Sequence, residues 1–369
     1  MAIHDVILSN ATSDLRRLVE RKLGFELEAE SFSNMLFVGM LADSDVPEVA
    51  AMCRSILETY RTKHAGGRYH FFETMQFACD VDCTGMALRG RLLAGELDLS
   101  RVVGIASLRK ITGEILRSAA VAEVDATANG VAKHDGALRR LVFKVYWDDH
   151  VVQDARLDRG LKNDAVVALN ALFPVLWEQA LGLRDRTERI ALREFVAGSP
   201  RARVGSATVE EIVRANVAYV VNHLVTGAWH GGSRYYGSPD AFLCLLSDAM
   251  IVGPDWWPEG LSDLLIAAIR ERRTAIVYGP AGDPWTSLNT ALRAIAARNA
   301  GIDASAETTA LVHAQSPDGG WHDFDSLYMF GRRDGTTIHF RSPLVTAGFA
   351  LRALGDRQLV GPLDRSAGD

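Results

Sequence analysis

The sequence predicts an all-helical (all-α) chain whose helix pairs form a double ring, and three observations predict it. Segments with apolar residues at helical spacing follow one another along most of the length. No Pro-, Ser- or Gly-rich linker divides them. Two short patterns recur. An aromatic, then Ser-Pro, then an apolar helix appears in RYYGSPDAFLCLLSDA and again in IHFRSPLVTAGFALRAL; Ala-Leu-Arg appears in MALRGRL, TALRAIA and FALRALG. Such self-similarity is how stacked helix pairs announce themselves. The expected organisation is one domain over residues 1–356, followed by a loose C-terminal tail, GPLDRSAGD at its end, over 357–369.

In order, SDLRRLVERKLG starts on a Ser cap and stops on Gly24, and SDVPEVAAMCRSILETYR starts on Ser44. CTGMALRGRLLAG follows an acidic turn that places Asp82 just before the helix. SRVVGIASLRKITGEILRSAA comes next, and LRRLVFKVYW is the best candidate for a strand. NDAVVALNALFPVLWEQALG carries Pro174 inside it, where a kink is expected. Then come SATVEEIVRANVAYVVNHLV, SPDAFLCLLSDAMIV, PEGLSDLLIAAIRERR, DPWTSLNTALRAIAARNAG, SAETTALVHAQ and SPLVTAGFALRALG. Most open on Ser, Asp or Asn, several with Pro at the first helical position, and some close on Gly.

With 369 residues, 48% of them hydrophobic, and a formal net charge of −6, the chain can bury a large core and lacks a general nucleic-acid surface. The first residues hold no long apolar run, so no signal peptide is expected, and no stretch reaches the roughly 18 to 20 apolar residues of a membrane span. Cys53, Cys79, Cys83 and Cys244 form no disulfide-rich or CxxC pattern, which suits reduced thiols in the cytoplasm. Peripheral contact with a membrane is compatible with all of this, and the oligomeric state is left open.

Residues 315–324, QSPDGGWHDF, follow one helix and precede what reads as a long loop. Asp318, Gly319 and Gly320 make a tight turn, Gln315 can cap nearby backbone, and Trp321 can cover a helix end. The motif resembles the glutamine-tryptophan repeat of squalene and hopene cyclases. Beside it, DVDCTG at residues 80–85 resembles the Asp-x-Asp-Asp-Thr signature of class II terpene cyclases, which protonate an alkene to start ring closure. The resemblance covers roughly residues 45 to 355 and is specific only in the 77–89, 230–245 and 310–355 regions. It implies an α/α barrel of the toroid kind shared with the protein prenyltransferases. It makes Asp82 the proton donor and Asp80 the neighbouring carboxylate, and puts Thr84 on the family's Thr. Cys83 stands where the longer pattern has a third Asp.

The chemistry accounts for the charges. An alkene is an extremely weak base, so its protonation needs a strong carboxylic acid in a dry pocket. Burial keeps such a group protonated, and two close carboxylates rarely both ionise. Without the resemblance, Asp80 and Asp82 would read as a capped turn. The cation then needs aromatic faces and protection from water. Candidates are Tyr69, Phe71, Phe72 and Phe77 before the acid, Tyr235 and Tyr236 in RYYGSP, and Phe340 in IHFRSP.

Other constellations read as structural. Asp148, Asp149, His150 and Asp154 do not match the Asp-Asp-x-x-Asp magnesium motif, and Asn163, Asp164 and Asn170 suit a cap and a buried amide. Asp82 next to Cys83 does not match the Asp-x-Cys zinc spacing of the prenyltransferases, so no metal site is expected. The resemblance thus implies a cyclase acting on a linear polyprenyl chain, whether free, diphosphorylated or joined to an aromatic head, with no cofactor for the protonation step. A diphosphate could be held by Arg234, Arg332, Arg333 or Arg341, together with Mg2+. The rivals are a non-catalytic helical-ring protein that binds a lipid or a partner, and a prenyltransferase-like enzyme.

Overall fold

The computed structural model describes residues 31–63, 67–71, 78–121, 140–148, 160–195, 201–278, 286–322, 326–331, 337–355, 359 and 361–362. Eleven α-helices lie in these segments: α1 (Phe32–Leu41), α2 (Pro47–Lys63), α3 (Val81–Leu93), α4 (Val102–Arg117), α5 (Ala165–Ala180), α6 (Val209–Val225), α7 (Pro239–Val252), α8 (Leu261–Tyr278), α9 (Ser287–Asn299), α10 (Ser305–Ala314) and α11 (Pro343–Leu354). Two hairpins accompany them. β1 (Arg189–Glu194) pairs antiparallel with β2 (Arg203–Thr208), in register from Arg189 opposite Thr208 to Glu194 opposite Arg203. β3 (Ser326–Gly331) pairs with β4 (Thr337–Arg341), with an irregularity between Ser326 and Tyr328.

The odd-numbered helices close on one another. α1 packs on α3, α3 on α5, α5 on α7, α7 on α9, α9 on α11, and α11 returns to α1. The even-numbered helices lie outside: α2 on α1, α4 on α3 and α5, α6 on α5, α8 on α7 and α9, and α10 on α9 and α11. This is the double ring of an α/α barrel. Enclosed between the barrel axis and the outer layer, the inner helices are buried almost all round. Every residue of α5 from Ala165 to Gln179 is buried, as is every residue of α9 from Ser287 to Ala297. An inner helix therefore has no polar face to give it a period.

Five of the six inner helices begin on a side-chain cap: Asp80 for α3, Asp164 for α5, Ser238 for α7, Thr286 for α9 and Ser342 for α11. The two Ser-Pro echoes are the starts of α7 and α11, each with proline in the first turn. The Ala-Leu-Arg echoes place Arg89, Arg293 and Arg352 on inner helices, all buried. Arg89 and Arg352 both reach Asp248 of α7, at 2.7 Å and 2.8 Å, and Asn299 at the end of α9 donates to the same carboxylate at 2.7 Å. Arg293 donates to Asp240 at 2.7 Å. These bonds tie α3, α9 and α11 to α7.

The Gln-Trp motif closes α10. Trp321 is buried and its Nε1 donates to the carbonyl of Leu311 at 3.0 Å, while Gln315 Nε2 donates to the carbonyl of Gly319 at 2.9 Å. Gly319 takes φ +84°, a conformation that favours glycine.

Several expectations change. Helix α1, FSNMLFVGML, was not expected, and the segment after Trp321 is the β3–β4 hairpin rather than a loop. β1 and β2 were not expected either. The described part of LRRLVFKVYW makes isolated bridges, Ala119 with Phe143 and Asp80 with Tyr146, and no strand. α3 begins at Val81, so Asp80 is the cap and Asp82 sits in the first turn. Pro174 lies inside α5, as expected. The expected helix SDLRRLVERKLG and the end of the tail, residues 363–369, lie outside the described residues. Among the described residues, no helix is long and apolar enough to cross a membrane.

Candidate active site

The acidic turn is held on both sides by backbone. Asp80 N donates to the carbonyl of Tyr69 at 3.2 Å, Val81 N to that of Val145 at 2.9 Å, and Trp147 N to that of Cys79 at 3.3 Å. Thr84 ties the turn to its neighbour: its hydroxyl donates to the carbonyl of Asp80 at 2.9 Å and accepts from Tyr69 N at 2.9 Å. Asp80 Oδ1 accepts from Cys83 N at 2.6 Å and so caps α3. Its other oxygen is buried with no hydrogen-bond partner among the described residues.

Asp82 is gripped by two neighbours. Asn170 of α5 donates to Oδ1 at 2.7 Å, and the hydroxyl of Tyr236 donates to Oδ2 at 2.5 Å. Asn170 comes this close because α3 and α5 touch at Gly85. A Cβ there would lie 2.4 Å from the carbonyl oxygen of Asn170. Asp164 caps α5 by accepting from Val166 N and Val167 N, and its second oxygen accepts from Tyr235 N at 2.9 Å.

Asp80, Asp82 and Cys83 face a narrow cavity completed by Phe32, Phe71, Val145, Tyr146, Val167, Tyr235, Tyr328 and Met329. These residues come from the starts of α1, α3 and α5, from the segments beside them, and from the segments leading to α7 and α11; the inner helices therefore open onto this end. The wall is aromatic. Phe32 meets Tyr328 edge-on with centroids 5.1 Å apart, Phe71 meets Tyr328 at 5.4 Å, and Tyr146 meets Tyr235 at 6.3 Å. Phe340 stacks on Tyr328 at 5.3 Å from behind.

Burial dominates the electrostatics. It pushes the Asp80 carboxyl up to about 7, against the hydrogen bonds from Cys83. Burial, and then the neighbouring Asp80, push Asp82 well above the usual carboxylate range, with the bonds from Tyr236 and Asn170 pulling the other way. Burial and the charge of Asp82 raise the Tyr236 phenol, so it stays a neutral donor. The arrangement favours the protonated form of Asp82 and offers two donors to the carboxylate left when a proton departs. Proton donation into a narrow, aromatic-walled cavity is the chemistry it suits.

Of the residues expected at the site, Asp80, Asp82, Cys83, Tyr235 and Phe71 line the cavity. Thr84 braces the turn. Tyr236 bonds to Asp82 and presents no wall, Phe340 forms a second layer, and Tyr69 contributes backbone, its phenol lying within the influence of Arg91 and Glu96. Arg234 is not a lining residue, although its charge reaches the Tyr235 phenol. Phe72, Phe77, Arg332 and Arg333 lie outside the described residues, as do Asp149, His150 and Asp154. Asn170, read as a buried amide, is buried as expected but serves Asp82. Phe32, Tyr146 and Tyr328 were missed. Among the described residues, no three His, Cys, Asp or Glu side chains gather as a metal would need.

The closed double ring is the fold of the type II terpene cyclases, and the comparisons place it there. The type II terpene cyclase MstE from Scytonema superposes with a TM-score of 0.55 at 13% identity, covering 88% of this chain and 87% of that one. A variant of MstE in complex with geranylgeranyl dihydroxybenzoate superposes at 0.53 with 12% identity, covering 88% and 86%. A protein from Actinoplanes superposes at 0.52 with 16% identity, covering 88% and 89%. In sequence, the chain is similar to a drimenol cyclase of Aspergillus calidoustus, 32% identical over 146 residues. That stretch is 39% of this chain and spans 25% of the relative's length. No protein-family model matches the chain.

Proposed function

We propose that the chain is a class II terpene cyclase in which Asp82 protonates the terminal alkene of a linear isoprenoid. The observation that carries this is the placement of Asp82: buried, facing an aromatic cavity, beside a second buried carboxyl, with a donor on each oxygen. The alkene π electrons take the proton, leaving a tertiary cation and the Asp82 carboxylate. The next double bond attacks that cation, rings close in turn, and loss of a proton or capture of water ends the sequence. Phe32, Phe71, Tyr146, Tyr235 and Tyr328 offer ring faces and edges along the path, and a cation gains on the order of 0.5–2 kcal/mol from each well-placed face.

The similarity to a drimenol cyclase and the complex of MstE with geranylgeranyl dihydroxybenzoate support a linear isoprenoid substrate, for which farnesyl and geranylgeranyl chains are the lengths to test. The protonation step needs no cofactor. For a diphosphate substrate, Arg234 beside Tyr235 and Lys162, whose Nζ lies 5.8 Å from the centroid of the cavity-lining Tyr146, are described cations that could meet it, Arg341 is exposed on β4, and Mg2+ would accompany the diphosphate. The test is incubation of the purified chain in D2O with farnesyl diphosphate and with geranylgeranyl dihydroxybenzoate, followed by mass spectrometry. A cyclised product carrying solvent deuterium from the initiating step is expected. Return of both substrates unchanged, or product without that deuterium, would contradict the reading.

A further inference from the structure

We propose that Asp164 is a positioning residue for the acid, a single buried carboxylate from which both hydrogen-bond donors of Asp82 are hung. The proposal rests on the reading of Asp82 as proton donor. Asp164 is 2% exposed and belongs to neither acidic residue's turn. Oδ1 accepts from Val166 N at 2.8 Å and Val167 N at 3.0 Å, which fixes the first turn of α5. Six residues on, Asn170 of that helix donates to Asp82 Oδ1 at 2.7 Å. Oδ2 of Asp164 accepts from Tyr235 N at 2.9 Å. The next residue, Tyr236, donates to Asp82 Oδ2 at 2.5 Å. One carboxylate thus sets the start of α5 and the approach to α7, and each element delivers one donor to the acid.

The chemistry of the site demands a carboxylate. All three groups facing Asp164 are N–H donors, so both of its oxygens accept and neither needs a proton. Asparagine can satisfy only one side. With its oxygen on the two α5 amides, its NH2 would face the N–H of Tyr235, donor against donor. Asp164→Asn therefore keeps the helix cap, at which Asn and Asp are equivalent, and removes the hold on Tyr235 N. The Tyr235–Tyr236 segment is then tethered by Met329 N on the Tyr235 carbonyl at 2.7 Å and Ser233 N on the Tyr236 carbonyl at 2.6 Å, neither of which fixes the direction of the Tyr236 hydroxyl. Asp164→Ser does the same with a shorter cap, and serves if the Asn variant fails to fold.

The experiment has a structural arm and a kinetic arm. In a crystal structure of Asp164→Asn, the Tyr236–Asp82 contact is expected to open beyond hydrogen-bond distance with α5 still capped. Persistence of the contact at its wild-type length would overturn the proposal whether or not the protein cyclises anything. In single turnover with farnesyl diphosphate or geranylgeranyl dihydroxybenzoate, Asp164→Asn should lower the rate at least tenfold with KM changed less than threefold. The double variant with Tyr236→Phe should fall no further than the slower single variant. Additive losses would mean that Asp164 does not act through Tyr236, and would overturn the proposal. Failure of wild type to cyclise either compound would overturn the acid reading, and with it a positioning role in catalysis, while the crystal structure would still report the geometry separately.

Discussion

Tyr236→Phe isolates the contribution of one hydroxyl to the acidity of Asp82. The ring stays: it is fully buried and meets Phe32 edge-on with centroids 6.5 Å apart, so packing survives the change. What goes is a 2.5 Å hydrogen bond to Asp82 Oδ2. A hydrogen bond to a charged group is worth about 1.5–3 kcal/mol net. It acts fully only after the proton has left, on the carboxylate, so its loss raises the barrier of the protonation step. At about 1.4 kcal/mol per tenfold, the single-turnover rate should fall by roughly 10- to 100-fold. Loss should not be total, since Asn170 still donates to the other oxygen. The pH profile should move as well. The acid must be protonated to work, so activity is lost as pH rises through its pKa. The hydroxyl bond lowers that pKa, so the variant should keep its reduced activity to higher pH than wild type. Single-turnover rates over pH 5 to about 9 read both effects. A rate within twofold of wild type, with the alkaline limb unmoved, would refute the reasoning.

Two further variants separate neighbouring roles. Asp80→Asn keeps a cap, since Asn caps as well as Asp, but cannot ionise. Wild-type Asp80 titrates near 7 when folded against 3.8 for the unpaired group; between those values the folded state binds the extra proton, so wild type loses stability as pH rises across the window. The variant should lack that contribution to the slope and be more stable than wild type above pH 7, by up to about 4 kcal/mol, with turnover lowered less than in Asp82→Asn. Equal pH slopes in the two melting series would count against the buried, raised carboxyl. Gly85→Ala should place a Cβ against the Asn170 carbonyl, where backbone cannot yield; overpacking costs about 1–3 kcal/mol, and separating α3 from α5 draws Asn170 off Asp82, so both Tm and rate should fall. An unchanged Tm would show that the two helices have room to spare.

What the sequence disclosed follows from what each residue faces. The Ser-Pro starts and Ala-Leu-Arg repeats were visible because ring symmetry repeats the same problem: capping an inner helix, and burying an arginine against a carboxylate of α7. The outer helices α2 and α4 were legible through their exposed and buried faces. Helix α1 was not: nine of its ten residues are buried, so it has no helical period, and unlike the equally buried α5 and α9 it opens without a side-chain cap to mark its start. Phe32 was lost with it. Asp80 and Asp82 could be found by spacing, since they share one turn. The groups that grip Asp82 could not, as Asn170 and Tyr236 stand 88 and 154 residues away in the chain. A signal for Asn170 was present, a lone amide in the apolar run AVVALNALF, but a buried amide has many reasons to exist. Tyr328 and Met329 were hidden because hairpin β3–β4 follows a turn motif that reads equally well as the start of a loop.

The central claim is that Asp82 supplies the initiating proton, and single-turnover cyclisation by Asp82→Asn tests it most directly. The amide keeps the size of the side chain and can still accept from Tyr236, but it is not a usable acid. With circular dichroism and Tm close to wild type, cyclised product from farnesyl diphosphate or geranylgeranyl dihydroxybenzoate should disappear, a loss of at least about 10⁴-fold at the upper end of what a general acid contributes. Product formed by the folded variant at the wild-type rate would contradict the account.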